Sequence, residues 1–150
     1  YMKKNHNILI GERTAEKIKI AVGSALPELE NPPEKLSVNG RDLITGIPKQ
    51  VFTTYQETAI ALDKSIAKIE TSILRALEQT PPELASDIYK RGIYLTGGGA
   101  LLRGLDKRIS AKTKLEVHVA EDPLKAVVKG TGLALRNSKK YSFLIDRRSI

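Results

Sequence analysis

The chain has no cysteine and no tryptophan, one methionine and two histidines in 150 residues. The lack of cysteine excludes a disulfide scaffold, a thiolate zinc site and a cysteine nucleophile together. His6 and His118 stand far apart in the chain, which argues against a histidine-rich metal site. Aromatic residues make up 5%, a poor supply for a base-stacking platform. No apolar run approaches the roughly 20 residues that a spanning helix needs. No signal peptide opens the sequence, and a cytosolic address is the expectation from both observations. The first residue is Tyr1 rather than Met, in what reads as the middle of an element, so a fragment is expected.

Hydrophobic residues are 41% and charged residues 28% of the chain, the composition of a globular protein. A chain of this length forms one domain or two small lobes and buries roughly 70% of its unfolded surface. The net charge is +8, and the excess is C-terminal. Arg103, Lys107, Arg108, Lys112, Lys114, Lys139, Lys140, Arg147 and Arg148 carry it. Such a field favours a polyanion or an anionic surface, although a solvated basic face explains the same residues. In the tail from about residue 138, Lys139, Lys140, Arg147 and Arg148 flank Phe143, Leu144 and Ile145, a pattern that suits contact with an anionic membrane.

The pattern of apolar residues predicts helices over 14–22, 57–79, 82–91, 100–112 and 123–135, and strands over 93–96 and 115–119. Thr14 is the expected cap of the first helix and Gly23 its end. Pro27, Pro32 and Pro33 mark a connector. Leu36–Val38 alternates, and Asn39-Gly40 is the strongest hairpin signal in the chain, with Leu43 and Ile44 on the return strand. Val51–Thr53 extends. Thr54 and Glu57 have the spacing of a capping box. Behind them Leu62, Ile66, Ile69, Ile73 and Leu77 recur at helical intervals. Pro82 suits the first turn of the next helix, with Leu84, Ala85 and Ile88 inward. From residue 93 the order strand, helix, strand, helix reads as an α/β unit.

Gly97-Gly98-Gly99 lies between the end of a strand and the expected start of a helix. Ligands bind at such places in open α/β sheets, and glycine lets them lie against the backbone. Leu101, Leu102, Leu105 and Ile109 are expected on one stripe of that helix. A Walker loop would need Gly-Lys-Ser/Thr to follow, and a dinucleotide fingerprint would need a small residue where Leu102 stands. Both are therefore rejected. Glu16 and Lys19 lie three apart on one helix face, and by themselves read as an ordinary surface pair.

Four segments, in order, carry a resemblance. They are Gly11–Lys19 (GERTAEKIK), Pro81–Ile88 (PPELASDI), Gly92–Asp106 (GIYLTGGGALLRGLD) and Ala120–Leu124 (AEDPL). Together they resemble the MreB family of bacterial actins, the rod-shape-determining proteins, over about residues 1–136. The resemblance implies an α/β, actin-like ATPase (ribonuclease H-like) fold. Residues 1–56 would be a small α+β lobe, subdomain IIB. Residues 57–150 would be the C-terminal part of the α/β lobe, subdomain IIA. It further implies that Glu16, Lys17, Ile18 and Lys19 on one side, and Gly97, Gly98, Gly99, Ala100 and Leu101 on the other, close on the adenosine of ATP. Glu16 would accept from a ribose hydroxyl, and the Lys19 stem would cover the adenine.

The family's phosphate loops, its metal-binding acid and its water-orienting residue have no counterpart here. The chain would thus hold half of a nucleotide site, with magnesium bound only in the full-length protein, and alone would be inactive and bind ATP weakly or not at all. The implied partners are further copies in a filament, the cell-wall elongation machinery with its membrane adaptors, and the inner face of the cell membrane. No nucleic acid is expected. The competing readings are a basic nucleic-acid-binding α/β module and another ATPase of the actin, hexokinase and chaperone superfamily.

Overall fold

The computed structural model describes residues 1–142. The suggested membrane contact of the tail rests on Phe143–Ile145, Arg147 and Arg148, which lie outside the described residues. Two cores organise the rest. The first is built from α1 (Met2–His6), β1 (Ile8–Leu9), α2 (Glu12–Val22), β2 (Leu36–Asp42) and β3 (Pro48–Thr53). The three strands form an antiparallel sheet in the order β1-β2-β3. Ile8, Ile18, Val22 and Val38 are buried at its centre, with Met2, Ile10, Ala21, Leu36 and Val51 packed around them.

The hairpin exists, but not with the expected turn. β2 runs straight through Asn39 and Gly40, which pair with Gln50 and Lys49. Gly40 serves a close approach: a Cβ there would lie 2.7 Å from the Leu9 carbonyl oxygen and 3.0 Å from the Ile8 side chain. The chain reverses four residues later. Asp42 Oδ1 accepts from the Ile44 and Thr45 amides at 2.8 and 3.0 Å, an Asx-type turn, and Gly46 takes a φ of +77°. Leu43 and Ile44 are thus in the turn, not on the return strand. Lys49 holds the other Asp42 oxygen at 2.9 Å.

The second part of the chain holds α3 (Tyr55–Glu78), α4 (Pro82–Arg91), β4 (Ile93–Leu95), α5 (Leu105–Thr113), β5 (Val117–Val119) and α6 (Ala126–Arg136). Its core lies among α3, β4, α5 and β5, with α4 and α6 burying none of their residues. β4 and β5 pair in parallel. Ala25, Ile66, Leu105 and Ile109 are its buried centre, joined by Leu62, Ile73, Ile93, Leu95, Leu102 and Val117. α3 begins on the expected capping box: Thr54 Oγ1 accepts from the Glu57 amide, and Glu57 Oε2 accepts from the Thr54 amide. Together these satisfy two of the helix's orphan donors.

Other boundaries move. α2 starts at Glu12 on a Gly11 cap, so Thr14 is inside the helix. Asp122 and Pro123 form a turn ahead of α6 rather than its cap, and α6 begins at Ala126. Leu84 and Ala85 on α4 are exposed, and Ile88 is half-buried. The segment expected as one helix over 100–112 is two pieces. Gly98–Leu101 is a single 3-10 turn, Leu102 is extended, Gly104 takes a φ of +73°, and α5 begins only at Leu105. The break places Gly104 against Leu26, whose side chain would be 2.8 Å from a Cβ at that position.

Candidate functional site

α2 divides its faces by periodicity. Ile18 and Val22 enter the first core, while Glu16, Lys17 and Lys19 remain in solvent. Ile18 is 6% exposed, so its side chain is held by the core. Lys19 Nζ bonds Glu16 Oε2 at 2.8 Å. Exposed pairs of this kind add only a few tenths of a kcal/mol (roughly 0.2–1) to a fold, so the pair is free to exchange its partner for a ligand at little cost. Ile18 and Lys19 also line a cavity of about 320 Å³ with Met2, Ile10, Ala61 and Leu62. Neither Glu16 nor the glycine turn is part of its wall.

The glycine turn follows β4. Gly97 has a φ of +79° and donates its amide to the Pro123 carbonyl at 2.7 Å. Its glycine is therefore a backbone requirement. Gly98 and Gly99 differ. Both have ordinary φ values. A Cβ on Gly98 would touch only Leu124, at 3.4 Å, and one on Gly99 would meet nothing within 4 Å. Nothing in this chain's own backbone or packing demands glycine at those two positions. Ala100 is buried and Leu101 is exposed, so Leu101 is not on the inner stripe. The α5 N-terminus, which the sequence placed directly behind the turn, lies at Gly104–Leu105 instead.

Arg103 ties the end of α2 to the loop after the glycine turn, and two further residues of the C-terminal basic excess, Lys107 and Arg108, are held within the chain. Arg103 Nη1 donates to the carbonyls of Ile20 and Gly23, each at 3.4 Å. The Arg103 carbonyl accepts from the Ala25 amide at 2.8 Å. Arg108 bonds Glu70 at 2.7 Å, Asp63 at 2.9 Å and the Ala25 carbonyl at 3.1 Å. The Glu70 bond first, and the Asp63 bond after it, hold its guanidinium charge above the usual range against the cost of burial. Lys107 bonds Glu30 at 2.7 Å, and its bond to Lys107 lowers the Glu30 carboxyl. Three of the basic residues that suggested a polyanion surface are thus engaged within the chain. The signal that could have found Arg103 was its place, between the glycine turn and Gly104.

The family model for MreB/Mbl protein matches residues 1–143. The chain belongs to this family. It is 44% identical over 140 residues to the cell shape-determining protein Mbl of Bacillus subtilis, covering 93% of this chain and 41% of that one. It is 47% identical over 135 residues to the cell shape-determining protein MreB of Escherichia coli, covering 90% and 38%. Among solved structures, MreB5 of Spiroplasma citri bound to AMPPNP superposes with a TM-score of 0.87 at 36% identity, over 93% of this chain and 41% of that one. A non-polymerising MamK mutant bound to AMPPNP shares the fold, with a TM-score of 0.60 at 22% identity over 83% of this chain and 37% of that one. The MreB/Mbl chain thus has the mixed α/β, actin-like fold, and spans about two fifths of the length of these relatives. Among its described residues no helix is long and apolar enough to cross a membrane.

Proposed function

We propose that this chain is the adenosine-binding part of an ATP-dependent, filament-forming bacterial actin, which maintains rod shape by organising cell-wall synthesis at the inner face of the membrane. Residues 1–56 correspond to subdomain IIB and the rest to the second part of IIA. The observation that carries the reading is the pair Gly98 and Gly99, glycines that their own chain does not require. Open space against a backbone, at the end of a parallel strand, is the cradle that a nucleoside needs. A Cβ at Gly99 would stand where the nucleoside would lie.

The residues fit the group. Gly97–Leu101 would lie against one side of the nucleoside. Glu16 would accept from a ribose hydroxyl, and the aliphatic stem of Lys19 would cover the base, with Lys17 beside them. Ile18, whose side chain is held in the first core, would anchor that side rather than touch the ligand. MreB5, 36% identical to this chain, is known bound to AMPPNP and to ADP, which supports ATP as the ligand. When bound, ATP would supply a phosphoanhydride for hydrolysis, with magnesium, in the full-length protein. This chain's residues bind and orient its nucleoside end.

The test is a series in the full-length polypeptide, reading ATP affinity and polymerisation by light scattering. Gly99→Val should fold, since its Cβ meets nothing, and should lose nucleotide binding by about tenfold or more, the cost of a branched side chain standing where the nucleoside would lie. Lys19→Ala should weaken binding less. A Gly99→Val protein that binds ATP and polymerises like wild type would refute the site assignment.

A further inference from the structure

We propose that Arg103 is a positioning residue for this nucleoside site: it ties the end of α2 to the loop leaving the glycine turn, and so fixes how the Glu16–Lys19 pair stands to Gly97–Gly99. The proposal rests on the site assignment made above. The chain passes from the first core to the second between Val22 and Ala25, since Val22 belongs to one and Ala25 to the other. Only Gly23 and Ser24 lie between them, and a short crossing between two cores is where two lobes hinge.

Arg103 grips both sides of that crossing. On the α2 side its guanidinium reaches the Ile20 and Gly23 carbonyls. These belong to the helix end, where carbonyls lack intrahelical partners and a cation meets the negative end of the dipole. On the other side its own carbonyl accepts from the Ala25 amide at 2.8 Å and from Ser24 Oγ at 3.4 Å, and Ser24 and Arg103 form an isolated parallel bridge. Its neighbour Leu102 closes the seam: a Cβ on Gly23 would lie 2.9 Å from Leu102 Cδ1.

The clamp is attached beside both halves of the site. Ile20 directly follows Lys19, and Arg103 follows the 3-10 turn that ends at Leu101. A tilt of the first lobe, α2 with it, about Gly23–Ser24 would move Glu16 and Lys19 relative to the glycine turn. Arg103 resists it together with the buried Thr58 Oγ1 bond to the Val22 carbonyl at 2.7 Å. Holding two binding segments in one geometry is what positioning residues contribute to affinity. Arg103 touches no ligand in this scheme. It acts through α2.

The test is a mutant cycle in the full-length polypeptide, measuring ATP Kd, melting temperature and amide hydrogen exchange at Gly23 and Ala25. Arg103→Ala should raise Kd about tenfold, the size of a lost charged hydrogen bond, and should speed exchange at both amides. Arg103→Lys, which can reach one carbonyl but not fork to two, should recover part of the loss. Glu16→Gln should weaken binding in the wild-type background and add little in the Arg103→Ala background, because a misplaced Glu16 has no grip left to lose. Wild-type Kd in Arg103→Ala beside a weakened Glu16→Gln would overturn the positioning role and leave the site standing. Additive losses would also overturn it, as the mark of general destabilisation. Wild-type Kd in both single variants would refute the site itself. Should Arg103→Ala fail to fold, the same cycle with Arg103→Gln decides by the same criteria.

Discussion

Around the three-stranded sheet, Ile8, Ile18 and Val38 are 0%, 6% and 3% exposed. Beside the two-stranded parallel sheet, Tyr94 and Val119 are 66% and 40% exposed, and α6 buries none of its residues. Val127, Val128, Leu133 and Leu135 all face solvent there. The difference follows from sheet type. An antiparallel sheet can keep one face wet, whereas a parallel sheet is built to be covered on both. The first lobe therefore closes its core with its own residues, and leaves apolar side chains, Ile44, Ile47 and Phe52 among them, exposed on the β2–β3 hairpin. The second presents an apolar surface of the kind that marks contact with more protein, in a family whose named members are more than twice as long.

The sharpest way to break this comparison is to empty each core in turn. Ile8→Ala and Ile109→Ala remove side chains that are 0% and 1% exposed, and each should cost about 2–5 kcal/mol. If the cores are separate, Ile8→Ala should speed hydrogen exchange at β2 and β3 while β4 and β5 keep their protection, and Ile109→Ala should do the reverse. Equal loss across both sheets in either variant would mean that one cooperative unit spans the chain.

A smaller effect sharpens how the second core is tied to the connector. Arg108 joins α3, α5 and the Ala25 carbonyl. Arg108→Met keeps much of the packing and strands Glu70, whose side chain is 11% exposed. The expected cost is about 2 kcal/mol, below that of a fully buried pair because Asp63 is in water. Denaturant unfolding checks it, and a cost recovered in Arg108→Met/Glu70→Gln would show that the stranded carboxylate is its source.

The same contrast explains what could be read in advance. α3 was legible because its signals are local: a capping box at Thr54 and Glu57, then an apolar stripe through Ile66. The glycine turn and the Glu16–Lys19 helix were legible as segments. The hairpin turn was not, because Gly40 looks like a turn residue until β1 is laid against it. Nor was the break at Gly104, since the leucines on either side keep a helical rhythm and the residue packed against the break, Leu26, is far away in sequence. Leu84 and Ala85 read as core because periodicity reports which face is apolar, not whether anything in the chain covers it. Arg103 was conspicuous by its place beside the glycine turn, but its role was not legible for a related reason: its partners are backbone carbonyls, which leave no trace in residue type.

The smallest effect concerns acid, and separates the lobes by charge. Asp42 closes the β2–β3 turn with bonds to Lys49, Thr45 and Ile44, and these hold its carboxyl well below the usual carboxylate range. Glu57, at the start of α3, is also lowered: burial opposes the charge, but bonds from Thr53, the Thr54 amide and His6 outweigh it. A carboxylate with a depressed value in the folded state stabilises that state above its unfolded value, about 4. The contribution disappears as pH falls from there through the folded value. Between pH 7 and 5, then, Asp42 should leave the hairpin's stability unchanged, and below about pH 4 the hairpin should loosen progressively. Asp42→Asn keeps one acceptor for the turn amides but cannot titrate, so it should begin weaker at pH 7 and show a flatter acid profile. Exchange at the β2 and β3 amides between pH 7 and 3, corrected for intrinsic rates, reads this directly. An acid profile that is the same in Asp42→Asn and wild type would mean that the turn draws no stability from the charge, and that the small lobe's self-sufficiency comes from its apolar core alone.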